Sequence, residues 1–163
     1  MKARSATLSD CDAIAHIYNQ GIEDRIATFE TRLRLPQEVQ AWFDGVHPIV
    51  VVENEQEVIA FASTSSYHNR ECYAGIAECS VYVRHDMRNR GAGRLALETL
   101  QLAAEKAGFW KLVSRVFVEN RASRALIQKL GFREVGVYYK HAKLDGIWRH
   151  VIIVERLLMS NIT

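Results

Sequence analysis

One stretch constrains the fold of this chain more than any other. Cys79-Ser80-Val81-Tyr82-Val83 is an apolar strand, and it runs into the basic loop Arg84-His85-Asp86-Met87-Arg88-Asn89-Arg90-Gly91-Ala92-Gly93-Arg94 and then into a long amphipathic segment. A strand, a glycine-spaced turn and a helix in that order place several unpaired backbone N–H groups at one point. The positive end of the helix dipole lies there as well. Arg84, Arg88, Arg90 and Arg94 crowd the same place. The chemistry is that of a polyphosphate cradle, although the arginines alone could equally be a solvated face.

The remaining sequence predicts a mixed α/β domain around that loop. Residues 2 to 6 suit a first strand, and Thr7 with Asp10 three positions on forms a capping box for a helix. Cys11, Ile14, Ala15 and Tyr18 continue it at helical spacing, with Gly21 as its expected end. Pro36 opens a second helix through Val39, Trp42 and Phe43, closed by Gly45. Residues 48–52 and 58–63 read as a hairpin about Glu53-Asn54-Glu55, and Ile76 to Val83 as the next strand. Helix three spans about Gly93 to Ala107, Leu112 to Val118 is a buried strand, and Arg121 to Leu130 is a fourth helix capped by Asn120. Phe132 to His141 and His150 to Leu158 close the chain as two strands about Leu144-Asp145-Gly146. The order is β-α-α-β-β-β-α-β-α-β-β, a mixed central sheet flanked by helices. Without a repeat, linker or low-complexity run, residues 1–163 are expected to form a single domain.

Composition narrows the function classes. A formal charge of +2 over 163 residues does not suit a nucleic-acid binder. The N-terminus lacks an apolar leader and no apolar run reaches membrane-spanning length, so no membrane partner and a cytoplasmic location are expected. Cys11, Cys72 and Cys79 form no C-x-x-C pair and read as reduced thiols. The six histidines show no metal-ligand spacing, so no metal is expected.

The loop has neither the Rossmann nor the P-loop pattern. Arg88-Asn89-Arg90-Gly91-Ala92-Gly93 instead resembles the Q/R-x-x-G-x-G/A pyrophosphate arm of the GNAT N-acetyltransferases. Asn120-Arg121-Ala122-Ser123, followed by Gly131-Phe132, resembles the second signature of that family. Together with the element order, the resemblance covers the whole chain and implies the GNAT (acyl-CoA N-acyltransferase) fold. Ala77-Glu78-Cys79-Ser80-Val81-Tyr82-Val83, Gly136-Val137-Tyr138-Tyr139-Lys140-His141 and Gly146-Ile147-Trp148-Arg149-His150-Val151 look like its phosphinothricin, methionine-sulfone and arsinothricin acetyltransferase branch.

That resemblance implies acetyl transfer from acetyl-CoA to the α-amino group of a small, acidic amino acid or analogue, in a homodimer. It assigns Arg88, Asn89, Arg90, Gly91, Ala92, Gly93 and Arg94 to the cofactor's pyrophosphate, and Val81, Val83, Asn120 and Ser123 to its pantetheine arm. Glu78 would be the base, since an ammonium must lose its proton before it attacks. A backbone N–H near Tyr82 or Val83 would polarise the thioester carbonyl. Phe29, Arg70, Tyr73, Tyr82 and Val151 would bind the acceptor, Val151 across a dimer interface.

Read without the family, the same residues are less specific. Glu78 is an edge-facing or salt-bridged carboxylate in an apolar strand, Asn120 a helix cap and Arg70 a solvated loop cation. One position departs from the pattern: Ile127 stands where the family carries a tyrosine or histidine acid, leaving Tyr138 and Tyr139 as substitutes. Two rivals stay open. A non-catalytic acyl-CoA sensor needs the loop but not Glu78, and an acetyltransferase for protein N-termini or polyamines needs an open groove or an acidic pocket.

Overall fold

A computed structural model describes all 163 residues. The elements are β1 (Lys2–Ser5), α1 (Cys11–Glu23), α2 (Pro36–Gln40), β2 (Ile49–Asn54), β3 (Glu57–Ser66), β4 (Ile76–Val83), α3 (Ala92–Lys106), β5 (Lys111–Phe117), α4 (Arg121–Lys129), β6 (Arg133–Leu144) and β7 (Ile147–Leu157). The seven strands form one sheet in the order β1-β2-β3-β4-β5-β7-β6. Every neighbouring pair is antiparallel except β4 and β5. The element order is the one the sequence predicts.

Both faces of the sheet are covered, which explains the unbroken apolar run of β2. Val50 and Val52 face a core built with Leu97 and Leu100 of α3. Ile49 and Val51 face a second core with Ile14 and Ile17 of α1. No helix is long and apolar enough to cross a membrane.

Four boundaries differ from the sequence reading. Thr7 and Asp10 cap a short 3₁₀ turn that leads into α1. Gly21 does not end α1, which continues to Glu23. A Cβ at Gly21 would lie 2.6 Å from Cδ1 of Tyr82, so its role is to let the helix lie against that ring. α2 stops at Gln40, and Trp42 and Phe43 pack onto the second core from the turn that follows. The last hairpin turns on Asp145 and Gly146, at φ of 50° and 77°. Leu144 belongs to β6 and is buried.

The feature that shapes the molecule is a split in the sheet. β4 pairs with β5 only through Ile76↔Lys111, Ala77↔Leu112 and Glu78↔Val113. Beyond those positions the two strands part and leave a wedge. At its apex the Ser114 hydroxyl donates to the Cys79 carbonyl at 2.9 Å. That hydroxyl takes the acceptor that a backbone N–H of β5 would have used had the ladder continued.

Candidate active site

Strand parity decides what faces the wedge. The Arg84 N–H donates to the Ile59 carbonyl at 2.8 Å, and the β3–β4 register is unbroken from Ala60↔Val83 to Ser66↔Ala77. The hydrogen-bonding groups of the even residues, Tyr82 included, are therefore committed to β3. Those of Cys79, Val81 and Val83 point the other way, into the wedge. The Cys79 carbonyl is bonded to Ser114, and the Val83 carbonyl accepts from Arg88 Nε at 3.3 Å. The N–H groups of Val81 and Val83 and the Val81 carbonyl face the opening, where an extended amide-bearing chain can pair with them as a further strand would. This parity selects Val81 or Val83, and not Tyr82, as the backbone donor in the wedge.

A cavity of about 430 Å³ opens along this edge. Val81, Val83, Arg88, Asn89, Gly91, Ala92, Gly93, Arg94, Asn120 and Ser123 all line it, together with Asp24. Arg90 is the one expected phosphate-loop residue that does not. Gly91 sits at φ 88°, a left-handed turn that glycine takes without strain, and it caps α3. Gly93 lies within α3, where a Cβ would stand 3.2 Å from Val83 Cγ2 and 3.4 Å from Leu126 Cδ2. The helix N-terminus can lie this close to the strand because that side chain is missing.

Three of the four arginines are already paired. Arg84 meets Asp86 at 2.7 Å and Glu57 at 3.2 Å, and Arg94 meets Glu98 at 2.8 Å. Arg88 meets Asp24 at 2.7 Å, beside His85 at 2.9 Å from the same carboxylate. Burial raises the Asp24 pKa, but its bonds to Arg88 and His85 outweigh that and hold it below the ordinary carboxylate value. Asn120 caps α4 by accepting from the Ser123 N–H at 3.2 Å, and its Nδ2 donates to the Ile26 carbonyl at 3.5 Å, so its structural role is realised.

A second cavity, of about 660 Å³, lies on the α1 face of the sheet. In the parallel ladder Glu78 pairs with Val113, so Glu78, Ser80 and Tyr82 of β4 share a face with Arg115 and Phe117 of β5. All five line the cavity, as do Phe29 and Val151. Phe29 packs on Phe117 with ring centroids 4.7 Å apart. Val151, paired with Phe117 across β5 and β7, reaches the cavity of its own chain.

His141 also lines the cavity. The register between β6 and β7 slips between Tyr138 and Ala142, with Lys140 at φ 48°. Such a bulge re-aims the side chains beside it.

Glu78 is held by Arg115, whose Nε and Nη2 donate to Oε1 at 2.8 and 2.5 Å. The salt-bridged reading of Glu78 is thus realised, and Glu78 lines the larger cavity. Sequence reading missed Arg115. Its signal was a lone cation in an apolar strand, on the parity of Val113 and Phe117.

Arg70 and Tyr73 line neither cavity. They flank an exposed 3₁₀ turn, Glu71–Tyr73, and the Tyr73 ring packs edge-on against Tyr67 and His68. Ile127 is buried in the α3-side core. Tyr138 and Tyr139 are exposed on β6 and reach neither cavity.

The two cavities meet at Ala27 and Tyr82, which line both. Burial drives the Tyr82 phenol above its ordinary range, so it keeps its proton. Cys79 points to the opposite face, under α3, and burial followed by the Glu78 charge pushes its thiol up to about 12. It is no nucleophile for the cavity.

Residues 15–132 match the acetyltransferase (GNAT) family. The chain is 33% identical over 158 residues to an L-methionine sulfoximine/L-methionine sulfone acetyltransferase of Pseudomonas aeruginosa, with 93% of this chain and 91% of that protein covered. It is 30% identical over 162 residues to a phosphinothricin N-acetyltransferase of Streptomyces viridochromogenes, covering 96% of this chain and 87% of that one. A phosphinothricin acetyltransferase from Sinorhizobium meliloti, solved in complex with acetyl-CoA, superposes with a TM-score of 0.89 at 26% identity, over 96% of this chain and 87% of that chain.

Proposed function

The chain belongs to the GNAT acetyltransferase family, and on that premise we propose an acceptor: the α-amino group of a small polar amino acid or amino-acid analogue. Acetyl-CoA is the co-substrate. The relatives whose names specify methionine sulfone, methionine sulfoximine or phosphinothricin supply the acceptor class. The observation that carries the reading is that the two cavities adjoin at Tyr82, with Glu78 in the larger one.

The smaller cavity fits the cofactor on its own geometry. It offers the free backbone edge of Val81 and Val83, the glycine approach at Gly93 and the basic loop. Bound there, acetyl-CoA supplies an acyl group activated as a thioester. The Val81 and Val83 N–H groups hold its amide chain and orient the carbonyl, and the start of α3 with Arg88 and Arg94 faces the phosphates. Glu78 receives the ammonium proton, directly or through one water. Ser63, Ser65 and Ser80 line the acceptor cavity and offer hydroxyls to sulfone or phosphinate oxygens.

Transfer is direct, since the Cys79 thiol is turned into the opposite core and cannot relay the acyl group. With Ile127 unable to donate, Tyr82 holds the hydroxyl proton nearest the junction. A thiol with pKa about 8.5 also leaves tolerably as thiolate.

An acceptor panel tests the reading. CoA release is followed with free amino acids, methionine sulfone, methionine sulfoximine, phosphinothricin, arsinothricin, a polyamine and an N-terminal peptide. Saturable turnover is expected with one or more amino acids or analogues and not with the peptide. Tight CoA binding without turnover would make the chain an acyl-CoA sensor, and peptide turnover alone would assign it to protein N-termini.

A further inference from the structure

We propose that Arg115 is the anchor for the acceptor's carboxylate, and that a carboxylate docking there releases Glu78 to act as the base. This rests on the amino-acid acceptor proposed above and adds the residue that recognises it. The cavity lining contains one permanent cation, Arg115, among the acids Glu30, Asp44 and Glu78. Glu30 is engaged by Arg34 at 2.6 Å and Asp44 by His47 at 2.5 Å. His141 is the remaining titratable group of the lining outside the phenols and the buried Cys79. Arg70, the cation expected for this task, stands outside.

The geometry of the Glu78–Arg115 pair explains why one residue does both jobs. Two N–H groups of Arg115 converge on a single oxygen, Oε1 of Glu78, while the Arg115 side chain is 51% exposed against 25% for that of Glu78. An exposed ion pair is worth little and exchanges readily. An incoming α-amino acid brings a carboxylate that matches the guanidinium fork, with an ammonium one carbon away. When that carboxylate takes the fork, Oε1 loses both donors beside the arriving ammonium. The proton then passes from the ammonium nitrogen to the Glu78 carboxylate, and the freed nitrogen lone pair is ready to bond the acyl carbon. The pair thus keeps Glu78 occupied until a molecule with both groups, in adjacent positions, arrives. A simple amine or an amino-acid amide lacks the carboxylate and leaves the pair closed.

The experiment compares L-methionine sulfone with its primary amide, by calorimetric binding to the full chain with CoA present and by acetyl transfer. The wild type is expected to bind the acid roughly 10- to 100-fold tighter than the amide. In Arg115→Gln that ratio falls to near one through weaker binding of the acid. Arg115→Lys, which keeps the charge and loses the fork, retains part of it. Arg115→Gln should also acetylate the amide faster than the wild type does, because Glu78 is no longer held, a gain that mere structural damage would not give. An unchanged acid-to-amide ratio in both variants would overturn the proposal, as would a wild type that does not distinguish acid from amide. An Arg115-dependent binding ratio without acetyl transfer by the wild type would leave the carboxylate anchor standing and remove both the release of Glu78 as base and the amino-acid acetylation proposed above.

Discussion

At the scale of single residues, Glu78 occupies the last paired position before the sheet opens, the only place where a β4 carboxylate lies beside β5 and faces the acceptor cavity. Replacing it by Gln keeps shape and some hydrogen bonding but removes the proton acceptor. The expected result is a kcat lower by roughly 10² to 10⁴. CoA affinity by calorimetry should be unchanged, because Glu78 does not line the smaller cavity. An unaltered kcat would place the base elsewhere. Glu78 was legible in the sequence because a charge inside an apolar strand invites a reason. Arg115 breaks its own strand in the same way and was passed over, since what joins the two is the parallel register Glu78↔Val113, which no local pattern encodes. Arg70 and Tyr73 stand outside both cavities for the converse reason. A family pattern gives their positions in the chain, while the 3₁₀ turn between them sets their direction.

Among the elements, the contact of α1 with β4 shows how a local rule and a tertiary need compete. A glycine near a helix end is ordinarily a stop signal, and the sequence reading took Gly21 as one. The helix runs past it because the Tyr82 ring, pinned edge-on by Tyr18 at 5.2 Å and stacked on Phe61 at 5.4 Å, fills the space a side chain would need. Gly21→Ala gains about 1 kcal/mol of helix propensity. It also forces a methyl to within 2.6 Å of a ring held between Tyr18 and Phe61, and overpacking of that kind costs about 1–3 kcal/mol. The net expectation is a loss of stability in denaturant melts. Weaker binding should follow in both cavities, since Tyr82 is their common wall. Higher stability with intact binding would show that the ring moves freely. Element order and the phosphate turn were readable because they rest on periodicity, caps and glycine spacing. The β4–β5 split was not, because each strand reads as continuous and only their divergence makes the site.

Over the whole molecule, that split leaves β1 to β4 and β5 to β7 joined in the sheet by three residue pairs and the Ser114–Cys79 bond. The opening between the two parts is where the cofactor is proposed to lie, so its binding should couple them. A ligand that binds only the folded state stabilises it by about 2.7 kcal/mol at one hundred times its Kd. For a chain of this length each kcal/mol raises Tm by roughly 2–4 °C. CoA at that excess is therefore expected to raise Tm by about 5–10 °C. A coupling of the two parts makes a sharper statement than the shift alone. The Val81 and Val83 amides, which face the wedge without a strand beside them, should exchange with solvent rapidly in the free protein and slowly with CoA. The Tyr82 amide, bonded to β3, should change little. A thermal shift without protection at Val81 and Val83 would mean that CoA binds through the arginine loop alone, leaving the open strand edge outside the site.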